Sequence, residues 1–345
     1  MYKAIFRVDG SHKLGMGDVV SCLNLALELK DFKVLFLSKY KEGIDKIKKF
    51  GYKAEKVPED SNLDEEIEFI KKVNERFNPA IIITEQVRND YGEFCKKLSK
   101  INRSLVIDFF GGIEVYNDIL VNWDVLPENR VYKKRNSSTT YLFGPKYVLL
   151  KENVSYYHSL TKNISNKVKK ILIAIGGTDV RNLTPRIIDA LKEFNELELN
   201  VVIGGAYKNR EEILKSLKRN KLSYNLLENQ NDLSKYIYEM DLAISAGGLS
   251  AFQLVAIGTP FLGIGAAIWE TKRLRKMQEL GICKFIGDFK NFKKEDLHES
   301  FRYLFNNKKE REKMSLNGKK LVDGKGIERV SKIVREVVKN GNLTN

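Results

Sequence analysis

The chain has 345 residues, 43% of them hydrophobic, and carries 60 basic against 45 acidic side chains for a formal net charge of +15. That length exceeds one ordinary domain and supplies apolar residues for two cores, while no apolar run approaches a membrane span, so stable membrane insertion is not expected. Three cysteines, Cys22, Cys95 and Cys283, with no CxxC pair, argue against a disulfide framework or a structural zinc and for a reducing, cytoplasmic setting. The charge is uneven: residues 1–150 hold 25 basic and 22 acidic groups, and much of the excess lies after Lys290. Those lysines are spread along helical segments without the interleaved aromatics of a single-strand binder, which reads as a solvated face and not as a nucleic-acid surface.

In chain order, Ala4 to Val8 is an apolar run that predicts a strand, Asp9 to Gly17 a loop with three glycines, and Val19 to Leu29 a helix from its apolar spacing. Glycines in such a loop let backbone approach a ligand closely, and the amides that open the helix favour an anion. Asp18 stands at that opening, where a carboxylate serves either as a helix N-cap or in chemistry. Strands are expected at 33–38, 53–57, 80–84, 104–108 and 119–121, and helices at 44–50, 63–77 and 91–99. This alternation predicts a parallel sheet covered on both faces.

Residues 127–155 break the rhythm, and it then restarts. Strands are expected at 170–174, 199–203, 224–227 and 242–245, with 261–263 closing the sheet; helices are expected at 184–194, 233–239, 250–257 and 271–280. Glycine pairs follow three of these strands: Gly176-Gly177, Gly204-Gly205 and Gly247-Gly248. In open α/β sheets ligands bind beyond the carboxyl ends of strands, so the pairs are expected along one edge, suited to a phosphate-bearing ligand. Neither a Walker signature nor a GxGxxG fingerprint appears at a strand-to-helix turn, which argues against an ATPase or a dinucleotide enzyme.

The chain resembles, almost end to end, the nucleotide-sugar hydrolases of the pseudaminic acid pathway and the related spore-coat polysaccharide proteins of the GT-B superfamily. The resemblance rests on Arg7-Val8-Asp9 with Gly15-Met16-Gly17, on Tyr141-Leu142-Phe143-Gly144-Pro145-Lys146-Tyr147-Val148-Leu149-Leu150, on Gly176-Gly177-Thr178-Asp179, on Ser245-Ala246-Gly247-Gly248, and on the closing 322–330 segment, Val322-Asp323-Gly324-Lys325-Gly326-Ile327-Glu328-Arg329-Val330. It implies two Rossmann-like, doubly wound α/β domains facing across a cleft. The first, 1–155, would be the sugar and catalytic side. The second, 156–345, would be the nucleotide side, with its last helix packing back on the first.

The same resemblance implies a UDP-linked amino sugar as ligand, water attack at the anomeric carbon with UDP leaving, and no metal or other cofactor. Such chemistry needs a base for the water and donors for the departing diphosphate. The family's base is a histidine where this chain has Asp18; His12, in the same loop, is the alternative source of a base. Asp9, Ser11, Gly15, Gly17 and Ser21 are the expected sugar-side contacts. Gly176, Gly177, Thr178, Asp179, Ser245, Gly247, Gly248, Leu249 and Ser250 are the expected nucleotide-side contacts, together with Gln253, which matches a ribose-binding glutamate, and Glu270, which matches a glutamine. Trp269 replaces an asparagine, and Ser21 stands where the family has an arginine. These departures keep three readings open: a hydrolase, a glycosyltransferase using a UDP-sugar, and a silent nucleotide-sugar binder.

Overall fold

The computed structural model describes residues 1–205 and 207–341, which form two α/β units. The first comprises residues 1–149 with the carboxy-terminal helix. Its elements are β1 (Tyr2–Val8), α1 (Gly17–Glu28), β2 (Phe32–Ser38), α2 (Lys41–Lys49), β3 (Lys53–Lys56), α3 (Leu63–Phe77), β4 (Ile81–Glu85), α4 (Tyr91–Leu98), β5 (Ser104–Ile107), β6 (Glu114–Val115), β7 (Ile119–Asn122), β8 (Lys133–Lys134) and β9 (Thr140–Phe143). Seven strands form a parallel sheet in the order β3-β2-β1-β4-β5-β7-β9, while β6 and β8 pair apart from it. The central strands are apolar throughout because helices cover both faces: Ile81, Ile82 and Ile83 of β4 are all fully buried.

The second unit, residues 150–324, contains α5 (Glu152–Ser159), β10 (Lys170–Ala174), α6 (Leu183–Ala190), β11 (Glu198–Ile203), α7 (Arg210–Arg219), β12 (Ser223–Glu228), α8 (Ser234–Glu239), β13 (Leu242–Ser245), α9 (Leu249–Ile257), β14 (Phe261–Gly265), α10 (Ile268–Glu279), β15 (Lys284–Asp288), α11 (Lys294–Asn306) and α12 (Lys308–Leu321). Its six strands are parallel in the order β12-β11-β10-β13-β14-β15. The last helix, α13 (Gly326–Gly341), belongs to the first unit, where Arg335 makes a two-pronged ion pair with Asp31 at 2.8 and 3.0 Å.

Several elements escape the sequence pattern, β9, β15 and α7 among them. β9 lies inside the irregular 127–155 stretch and completes the first sheet. The second sheet is closed by β15 and not by 261–263; this edge strand is only half buried and contains a glycine, so its alternation is faint. α7 is so charged that Ile213 and Leu217, one turn apart, are its only buried apolar residues. Among the described residues no helix is long and apolar enough to cross a membrane. All three cysteines are buried and unbridged.

Candidate functional site

Each sheet reverses its strand order once, between β1 and β4 in the first unit and between β10 and β13 in the second. Ligands of open α/β sheets bind at such points, outside the carboxyl ends of the strands. In the first unit the loop after β1 closes on itself: Ser11 and Gly15 exchange backbone hydrogen bonds of 3.2 and 2.9 Å, and the Ser11 hydroxyl accepts from the Leu14 amide at 3.2 Å. Gly15 has φ +85°, which a side chain would disfavour. Gly17, the first residue of α1, has open space where a Cβ would stand. The N-cap of α1 is Met16, with no side-chain cap, so Asp18 is not the N-cap but lies in the first turn, where the helix dipole favours a carboxylate. His12 is half-buried in the loop, its backbone amide 3.4 Å from Glu42 Oε1.

Besides Ser11, two further expected sugar contacts are committed to the protein. Asp9 accepts from Arg7 Nη2 at 2.8 Å and from the Lys39 amide at 2.8 Å. Burial pushes its carboxyl up, but the guanidinium of Arg7 and then Lys39 outweigh it and hold it below its ordinary range. Arg7 in turn meets Glu66, which also pairs with Lys39 at 3.0 Å and Arg88 at 3.2 Å. Ser21 is buried; its hydroxyl lies 2.9 Å from the Asp18 carbonyl and donates to the carboxylate of Glu85.

Glu85, not anticipated from the sequence, ends β4 beside Val8 of β1, where the strand order reverses. It is 1% exposed and also faces the Cys22 thiol at 3.7 Å. Burial, then the charges of Glu85 and Asp18, push that thiol far above its usual range.

In the second unit the glycine pairs end β10, β11 and β13, three adjacent parallel strands, and so lie on one edge. Gly204 is a packing residue: a Cβ there would stand 2.3 Å from the Gly177 carbonyl. Gly176, at φ +72°, is exposed and open around its missing side chain. Asp179 is buried and accepts the Leu183 and Thr184 amides at 2.8 Å each, so it caps α6. Burial drives its carboxyl up, against the pull of those amides. Thr178 beside it is buried as well.

Ser245 is fully buried and donates back to the Ala174 carbonyl at 3.1 Å, which turns its hydroxyl into the sheet. Gly248 is the N-cap of α9 and offers no side chain to the helix's first amides, those of Leu249 and Ser250 among them. Glu270 lies against this start: its Oε1 would be 3.3 Å from a Cβ on Gly248, and its Oε2 accepts from the Ala266 amide at 3.0 Å. Burial pushes Glu270 up, opposed by Arg273 and by the amides of Ala266, Ala267 and Gly247. The Gly247 amide, expected to face a diphosphate, is thus turned to Glu270. Arg273 donates to the Gly247 carbonyl at 2.8 Å, its guanidinium 5.1 Å from the Trp269 ring and 5.4 Å from that of Phe252. Gln253, on the second turn of α9, is 8% exposed.

No family model matches the chain. An uncharacterized protein of Methanocaldococcus jannaschii is 30% identical over 269 residues, 73% of this chain but 53% of that protein, so the chain spans about half of that relative's length. The spore coat polysaccharide biosynthesis protein SpsG of Bacillus subtilis is 24% identical over 349 residues, 98% of each. Among solved structures, MurG of Acinetobacter baumannii superposes with a TM-score of 0.68 at 13% identity, covering 97% of this chain and 100% of that one. The UDP-GlcNAc 2-epimerase of Neisseria meningitidis, bound to UDP-GlcNAc, gives a TM-score of 0.61 at 14% identity over 97% and 100% of the two chains.

The fold is of the GT-B type, with two Rossmann-like α/β units, as in these solved structures. The expected residues divide between positions open at the strand ends and positions bound up in the protein. Gly15, Gly17 and Asp18 gather at the first switch point, and Gly176, Gly177, Gly248, Leu249, Ser250 and Glu270 lie at the strand ends of the second unit. Asp9, Ser11, Ser21, Asp179 and Ser245 hold those loops in shape.

Proposed function

We propose that the chain binds a UDP-linked amino sugar and hydrolyses it, as an enzyme of cell-surface polysaccharide biosynthesis. The single observation that carries this reading is the start of α9: a glycine N-cap at the carboxyl end of β13, beside the point where the strand order reverses. Such a helix start suits a diphosphate, because its first amides lack partners within the helix and the dipole there is positive. The likeness in fold to an epimerase solved with UDP-GlcNAc, and in sequence to a spore coat polysaccharide biosynthesis protein, supports the choice of ligand.

In the reaction, Asp18 orients a water and takes its proton as the water oxygen bonds to the anomeric carbon. The bond from that carbon to the diphosphate breaks, and its electron pair leaves with UDP. Backbone amides and the dipole of α9 stabilise the charge that gathers on the leaving group. Glu270, a carboxylate beside those amides, restrains diphosphate binding when ionised, and Gln253 offers its amide to hydroxyls.

The test is a panel of UDP-amino sugars incubated with the purified protein while free UDP is followed. Release by the wild-type protein and its loss in Asp18→Asn is the expected result. Release only when a hydroxyl acceptor is added would assign a glycosyltransferase, and calorimetric binding without turnover a silent binder.

A further inference from the structure

The lysines that follow Lys290 are spread along the sequence, and folding sorts them. Helix α12 seats one side on α9: Arg311, Met314, Ser315 and Gly318 are its buried residues, and a Cβ on Gly318 would stand 2.8 Å from the Val255 carbonyl. The opposite side is open. Lys309, Lys313, Leu316 and Lys320 follow the spacing i, i+4, i+7, i+11, which places them within about 60° of arc along about 16 Å of helix. All four are exposed, Leu316 by 61%.

A second leucine joins this row. Asn317 donates its amide to the carbonyls of Leu280 and Gly281 at 3.3 and 3.2 Å, which holds the end of α10 against the side of α12. A Cβ on Gly281 would stand 3.7 Å from Lys313 Cε, so the stem of that lysine passes over the turn, beside Leu280, itself 40% exposed. Acidic groups keep to the margins. Glu310 and Glu312 fall on either flank of the row, the latter paired with Lys308 at 3.6 Å, and Glu279 pairs with Lys276 at 2.9 Å. Lys309, Lys313 and Lys320 make no ion pair among the described residues. Leu280 and Gly281 stand just before β15, so this patch lies toward the edge where the strands of the second sheet begin, away from the glycine pairs at their carboxyl ends.

We propose that this face of α12 is a peripheral docking surface for an anionic phospholipid bilayer. The three lysines meet headgroup phosphates, while Leu316 and Leu280 enter the boundary between headgroups and acyl chains. Lysine heads are point charges on flexible stems, and they suit a surface whose anions move laterally to meet them. The leucines gain by leaving water, and they set which face turns to the lipid. A nucleic acid would satisfy the lysines but offers no apolar layer to the leucines, and the row holds no arginine or aromatic side chain for a base. An acidic protein would need carboxylates set out to match a straight row. The inference stands apart from the reaction proposed above.

The experiment is co-sedimentation of the full chain with vesicles of phosphatidylcholine alone, or of phosphatidylcholine mixed with phosphatidylglycerol. Binding to the mixed vesicles only, weakening as salt rises, is the expected result. The variant Lys309→Glu/Lys313→Glu/Lys320→Glu should lose at least about a hundredfold in partitioning, from about fivefold for each lysine removed. Lys48→Glu/Lys49→Glu/Lys71→Glu makes the same change of charge on exposed lysines of the first unit and should keep most of the binding. The three native cysteines are buried, so Leu316→Cys can carry an environment-sensitive fluorophore, whose emission should shift to the blue on the mixed vesicles. That readout holds even if the α12 triple variant fails to fold. Absence of wild-type binding to the mixed vesicles overturns the proposal, as does retention on DNA without it. Equal losses in the two triple variants would mean that net charge alone acts, and an unshifted label on bound protein would mean that another face meets the lipid; either result also overturns it.

Discussion

Arg7 Nε lies 2.7 Å from Glu66 Oε1, and neither side chain is exposed to solvent. The pair belongs to a cluster in which Asp9, Glu66 and Asp90 face Arg7, Lys39 and Arg88 beneath the loop after β1. Removing one partner leaves an uncompensated buried charge. Arg7→Met is expected to lower the unfolding free energy by about 3 kcal/mol in urea titrations.

The cluster also sets an acid limit. Against burial, which raises them, Arg7 and its neighbours hold Asp9 and Glu66 below the ordinary carboxylate range. A group whose folded pKa is depressed contributes its full stability above its unfolded value and loses it as pH falls through the folded one. Stability should therefore drop as pH falls below about 4, and Arg7→Met should flatten that slope. Urea midpoints measured from pH 7 to pH 2.5 check this.

Two glycines make opposite predictions. A Cβ on Gly204 would stand 2.3 Å from the Gly177 carbonyl, so Gly204→Ala should destabilise by about 1–3 kcal/mol. A Cβ on Gly17 meets open space at the start of α1, so Gly17→Ala should leave stability unchanged or raise it by up to about 1 kcal/mol. On the functional reading it should nevertheless cut UDP release, because the new methyl fills room kept for ligand. Thermal melts and the release assay separate the two effects.

Asp179 has φ +38° and holds two amides of α6. Asp179→Ala should cost about 1–2 kcal/mol in a denaturant titration, and Asp179→Asn distinctly less, since asparagine both caps helices and tolerates the left-handed region.

Glu270→Gln replaces a carboxylate beside the start of α9 with the residue that the resembling family carries. UDP should bind several-fold more tightly to this variant by calorimetry at pH 8. The advantage should shrink on acidification, because a protonated Glu270 is also neutral. Equal affinities at pH 8 would remove Glu270 from the nucleotide's surroundings.

The architecture was legible because the buried strands are short apolar runs, three of them followed by glycine pairs, and these survive in a linear reading. The chemical detail was less so. A hydroxyl or carboxylate at a strand end looks the same whether it faces ligand or protein: Ser245 donates back to Ala174, and Asp179 turns to cap its own helix. The pairing of Arg7 with Asp9 was within reach, since opposite charges two residues apart stand at the end of β1. Glu66 and Glu85 were not, because each meets its partners only once distant segments fold together. Glu85 in particular follows an apolar strand as countless surface glutamates do.

The central claim is that the amino terminus of α9 receives a diphosphate, and amide NMR of the chain titrated with UDP tests it most directly. The account predicts saturable shifts and slowed hydrogen exchange at Gly248, Leu249 and Ser250, with uridine alone far weaker. UDP binding that leaves those three amides unmoved, or no binding at millimolar UDP, would contradict it.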